Sequence, residues 1–203
     1  MATPVTICNL ALSRIGDSTT VSSIDPPDGS VQAEACARLY PVALDAFLDL
    51  HNWSFATRRT SLSELAANRV PLGGWKKAYM LPADCKRVID VKGACGFPSP
   101  MKEPFEVIGT DFGRVVLTNA DEAHARYVCG EPKSGQFTGL FTDALAWLLA
   151  SYLAGETIRG DSAFAYAQKC QQQFTQTLSL AMKQDAREVH APRKYVAPWI
   201  ARR

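Results

Sequence analysis

The chain has no apolar run long enough to span a membrane. The apolar run 144–154 in the helical C-terminal half falls far short of the ~20 residues a bilayer requires. No basic region followed by an apolar one opens the N-terminus, so no secretory leader is expected. Charge of either sign is not in excess: 22 Lys and Arg stand against 20 Asp and Glu, a net of +2. A tight DNA-binding domain would concentrate positive charge on its fold, and that class is disfavoured. Histidine is scarce, with only His51, His124 and His190. The six cysteines include no Cys-x-x-Cys pair, which removes the usual zinc and dithiol redox motifs. Cys8, Cys36 and Cys170 fall on apolar helical faces, where a thiol acts as a small hydrophobe, so reduced thiols and a reducing compartment are expected.

What remains is an ordinary globular composition, 47% hydrophobic and 21% charged over 203 residues. The charge is uneven along the chain. From Arg187 onward Arg187, Arg193, Lys194, Arg202 and Arg203 oppose the single acid Glu188, leaving +4 there and −2 on residues 1–186. A slightly acidic body with a basic docking arm fits that division.

Thr3 and Pro4 supply an N-cap and a first helical position, and Val5, Cys8, Leu12 and Ile15 then share one face up to Gly16. Ser30 can cap a second helix carrying Cys36, Leu39, Ala43, Phe47 and Leu50. After Trp53 the period shortens. Runs at 75–81, 87–91, 105–108, 114–118 and 126–129 are rich in β-branched and aromatic residues and are punctuated by turns, predicting one small antiparallel sheet. Helical spacing returns with Phe141, Leu145, Leu148, Leu149 and Tyr152, then with Phe164, Ala167, Cys170, Phe174, Leu178 and Ala181. From Ala191 no period survives, and Pro192 and Pro198 predict an extended segment. The expected architecture is therefore α+β. A four-helix bundle (1–58 and 137–190) has an inserted β domain (59–136) and an extended C-terminal arm (191–203).

Motifs for catalysis are weak. Asp111-Phe112-Gly113 spells a kinase magnesium triplet without the accompanying loops, and reads as a hairpin turn. Gly73-Gly74-Trp75-Lys76 lacks the frame of a phosphate loop. Asp121, Glu122 and His124 are the one set of acid–base or metal-ligand candidates, and they sit in a turn with no second cluster at metal spacing. Neither a catalytic set, a metal nor a cofactor is expected. The tail offers more: Arg193, Lys194, Tyr195, Trp199, Ile200, Arg202 and Arg203 combine cations with apolar anchors, the residue types that dominate interface hot spots.

Four segments carry a family resemblance. They are Cys8-Asn9-Leu10-Ala11-Leu12-Ser13-Arg14-Ile15-Gly16, Ala35-Cys36-Ala37-Arg38-Leu39-Tyr40, Trp53-Ser54-Phe55-Ala56 with Arg58-Arg59, and Tyr79-Met80-Leu81-Pro82-Ala83-Asp84-Cys85-Lys86-Arg87-Val88. In this order and at this chain length they resemble the head-to-tail adaptor (connector) proteins of tailed bacteriophages, the family that includes tail tubular protein A of short-tailed phages. The resemblance implies a structural virion protein located at the head–tail junction and assembled in the host cytoplasm. It would form a homo-oligomeric ring of twelve subunits that docks on the portal protein, extends the channel for passing genomic DNA without sequence specificity, and gives the tail nozzle or other tail proteins a platform. Residues 192–203 match by position the family's portal-docking arm. Two other classes remain as alternatives: a tail-associated hydrolase of the bacterial envelope using His124, Asp121 or Glu122, and a nucleic-acid-binding module using the basic tail.

Overall fold

Two side-chain caps set the first two helices. Thr3 accepts from the Thr6 amide at 3.1 Å and opens α1 (Pro4–Arg14), while Ser30 accepts from the Ala33 amide at 3.1 Å and opens α2 (Val31–Leu50). The computed structural model describes residues 2–66, 69–94, 103–157 and 162–188. After a short 3-10 turn, Ser54–Ala56, come β1 (Thr57–Ser61), β2 (Ser63–Glu64), β3 (Lys77–Met80), β4 (Cys85–Lys92), β5 (Phe105–Thr110), β6 (Gly113–Thr118) and β7 (His124–Cys129). The chain closes with α3 (Gly139–Thr157) and α4 (Ser162–Glu188).

The molecule is α+β, but the expected four-helix bundle with one small inserted sheet does not form. The strands make two antiparallel sheets, one of three strands in the order β1-β7-β4 and one of four in the order β2-β3-β6-β5. The helices gather around α3, which packs on α4, α1 and α2, while α1 and α2 scarcely touch. The physical reason lies in α3 itself. Phe141, Ala144, Leu145, Ala146, Leu148, Leu149, Ala150, Leu153 and Ala154 are all buried, covering more than the one stripe a bundle member needs. A helix that is apolar nearly all round must be enclosed.

The cores stack in order. The inner faces of the two sheets meet over Tyr79, Cys85, Val91, Val116, Tyr127 and Cys129. The far side of the four-stranded sheet holds Ala78, Val115 and Leu117 beneath Val70 and its neighbours Leu65, Leu72 and Trp75. On the opposite side, Val128 of β7 and Ile89 of β4 join the helical core. That core centres on Phe141, whose ring lies 4.5 Å from Phe47, 4.9 Å from Trp53, 4.8 Å from Phe55 and 4.7 Å from Phe137.

Strand β4 joins the layers. Its register against β7 shifts between Cys85 and Arg87 and again between Val88 and Asp90, leaving Lys86 and Ile89 as extra residues. Both bulges restore the alternation, so Cys85, Val88 and Val91 all contribute to the inter-sheet core despite a spacing of three. The extra residues serve the helices instead. Ile89 packs into the helical core, and Lys86 pairs with Asp45 and, at 3.1 Å, with Asp49 on α2. Burial draws the Lys86 ammonium's pKa down, and the two carboxylates outweigh that, so the net shift is upward.

Candidate functional site

Three polar clusters are built where elements meet. The first uses the acid–base candidates. Residues 119–123 turn the chain from β6 into β7, and Glu122 adopts φ 51°, the left-handed region that costs a non-glycine residue energy. The turn is fastened by Tyr79 Oη donating to the Ala120 carbonyl at 2.9 Å and by the Leu62 amide donating to the Ala123 carbonyl at 2.8 Å. An open cavity of about 320 Å³ results, lined by Ser61, Leu62, Glu64, Tyr79, Glu122, Ala123 and His124. His124 lies directly across from Ser61 in the β1–β7 register.

Glu122 and His124 are thus brought together, and Asp121 is not. Its carboxylate faces Lys77 at 2.9 Å, and Lys77 also holds Glu64 at 3.0 Å. The Lys77 bond keeps Asp121 below the usual carboxylate range, and the two acids raise the lysine in turn. A carboxylate so engaged is a poor general base. Among the described residues, no hydrogen bond orients His124 toward Ser61, and no group of three or more His, Cys, Asp or Glu side chains could hold a metal ion. The cavity can accept a small polar group between Glu122 and His124. It does not assemble a nucleophile with its base.

The second cluster closes the helical layer. Asp185, only 3% exposed, accepts from the Ser54 amide at 2.9 Å and from Ser54 Oγ at 2.7 Å, and its second oxygen lies 3.1 Å from His51 Nε2. Serine, histidine and aspartate converge here in the wrong order for catalysis: the acid sits between the other two, so the imidazole is not placed to take the serine proton. Its role is to cap the 3-10 turn from across the fold. The sequence signal was present, since Asp185 continues the buried spacing 170, 174, 181 by one further helical step.

Asp84 organises the third. It pairs with Arg58 at 2.5 Å and accepts from Tyr127 Oη at 3.1 Å and from Cys129 Sγ at 3.3 Å. Burial, helped by Asp84, raises the Tyr127 phenol; burial raises the Cys129 thiol too, against the Glu131 amide, so it stays protonated. A protonated thiol is not a nucleophile poised for reaction.

The other motifs settle as structure. Asp111 and Phe112 make the β5–β6 turn, where Gly113 at φ 133° takes a conformation other residues avoid. The arm residues Arg193, Lys194, Tyr195, Trp199, Ile200, Arg202 and Arg203 lie outside the described residues. Among the described residues, no helix is long and apolar enough to cross a membrane.

Much of the outward face of α4 is exposed. Between Ser162 and Gln184 the helix carries no carboxylate and only two cations, Lys169 and Lys183. Gln168, Gln171, Gln172, Gln173, Thr175 and Gln176 are exposed, with Phe164 78% exposed and Leu180 49% exposed among them. On α2, Val31 and Val42 stand out in the same way. No protein-family model matches this chain, and no curated protein does either.

Proposed function

We propose that this chain is a structural component of a tailed-phage particle, a head-to-tail adaptor. It docks on the portal protein, closes into a homo-oligomeric ring of about twelve copies around the passing genome, and offers the tail a platform. The observation that carries the reading is the outer face of α4: long, charge-poor, rich in amide side chains and studded with exposed Phe164, Tyr166 and Leu180. A subunit gripped by neighbours must lose water from its contact face, and amides and apolar groups give up water at far lower cost than ions do. The separation of charge, −2 on residues 1–186 and +4 beyond, supports a tail that docks while the body stays weakly charged. A strongly basic channel wall would bind the phosphate backbone and hold it.

The test is co-assembly. Purified portal rings mixed with the full chain should acquire a second ring in negative-stain images, and a chain lacking residues 191–203 should fail to add it. Intact chain that leaves the portal bare would defeat the proposal.

One arrangement favours a second reading, the envelope hydrolase: the cavity that joins Glu122 at its strained backbone to His124. Zymography on cell-wall or polysaccharide substrate separates the two. The adaptor reading expects no clearing from wild type, whereas clearing that His124→Ala abolishes would establish the hydrolase.

A further inference from the structure

Four of the described cysteines lie in two close pairs, and the two pairs differ in geometry. Cys8 and Cys36 meet between α1 and α2, thiol against thiol, fully enclosed in the helical core. Cys85 and Cys129 instead face one another across β4 and β7 in antiparallel register. The Gly130 amide donates to the Asp84 carbonyl at 2.8 Å, the bond that flanks a non-hydrogen-bonded pair. Residues paired in that way have Cα atoms about 4.5 Å apart. A disulfide accepts Cα separations of roughly 4.4–6.8 Å. Both side chains turn to the same side, into the core between the sheets.

We infer that Cys85 and Cys129 form a built-in site of thiol oxidation, closing to a cross-strand disulfide that fastens β4 to β7. Access favours this pair. β4 is an edge strand of its sheet, and Cys85 is 7% exposed where Cys8, Cys36 and Cys129 are at 0%. A small oxidant such as diamide meets Cys85 first. The Cys85 sulfur adds to the N=N bond, and the Cys129 sulfur then displaces the nitrogen from it. Two S–H bonds break, one S–S bond forms, and the two electrons and two protons leave as the hydrazine. The Cys129 thiol donates to Asp84 and the Glu131 amide lies 3.4 Å from its sulfur, so it must give up its proton for that displacement and the step is slow at neutral pH. The pair stands whether or not the chain belongs to a virion.

Thiol counting and peptide mapping decide it. The folded full-length protein is treated with diamide, unfolded, alkylated and digested without reductant. The free-thiol count should fall from six to four, and the one linked peptide pair should contain Cys85 and Cys129. Cys85→Ser and Cys129→Ser should each lose that linkage, and wild type unfolded in urea before oxidation should scatter its cross-links. A count that stays at six overturns the inference. So does a linkage that joins Cys85 or Cys129 to any other cysteine, or that joins only Cys8 to Cys36.

Discussion

Asp185 shows what a single side chain can hold. It satisfies one backbone amide, one hydroxyl and one imidazole from a stretch more than a hundred residues away. Asp185→Ala strands those donors in a buried place and should cost about 2–4 kcal/mol, read from urea unfolding; Asp185→Asn, which keeps an acceptor, should cost less. Asp28 is the acid-sensitive counterpart. Its carboxylate accepts from the Ser30 hydroxyl and amide and from the Ser22 amide, and these bonds hold its pKa far below the usual value. A pKa depressed by folding adds stability above the unfolded value, ~3.9, that is lost as pH falls through the folded one. Wild type should therefore exceed Asp28→Asn in unfolding midpoint at pH 7, and the gap should narrow steadily below about pH 4. A gap independent of pH would remove the ionised carboxylate from the explanation.

At the scale of elements, legibility follows from whether local chemistry or a distant partner decides. Thr3, Pro4 and Ser30 announce α1 and α2 because a cap acts within one turn. β1 carries Thr57, Arg58, Arg59, Thr60 and Ser61, with no apolar alternation to read, and becomes a strand only through pairing with β7. The split into two sheets was hidden for the same reason: β4 pairs with β7 and β3 with β6, strands far apart in sequence. Within the candidate site, the neighbourhood of Glu122 and His124 could be read locally, and the diversion of Asp121 to Lys77 depended on β3 arriving beside it. The bulges of β4 give a prediction at this scale. Deleting Ile89 removes the bulge and leaves Asp90 opposite Arg126 and Val91 opposite Ala125, so what the protein loses is the side chain packed into the helical core. That protein should keep a cooperative thermal transition at reduced stability; Ile89→Ala should cost about 2–5 kcal/mol and Ile89→Val about 0.5–1.5 kcal/mol.

For the whole molecule, the question is which surface works and which merely faces water. Phe164→Glu and Leu180→Glu alter residues with no role in the core, so each should shift stability by no more than about 0.5 kcal/mol. The same changes place a charge on the face proposed for assembly, where an unpaired ion resists burial. Portal co-assembly should fall while thermal unfolding stays as in wild type. Equal assembly by both variants would move the contact away from α4. The stacking of helical core, three-stranded sheet and four-stranded sheet also has a mechanical side. Lys86 reaches from an edge strand to Asp45 and Asp49, two carboxylates one helical turn apart, while Ile89 is wedged into the helical core. A clasp gripped at two points resists twisting as well as sliding. Force applied to the sheets would reach α2 through Lys86 and the helical core through Ile89.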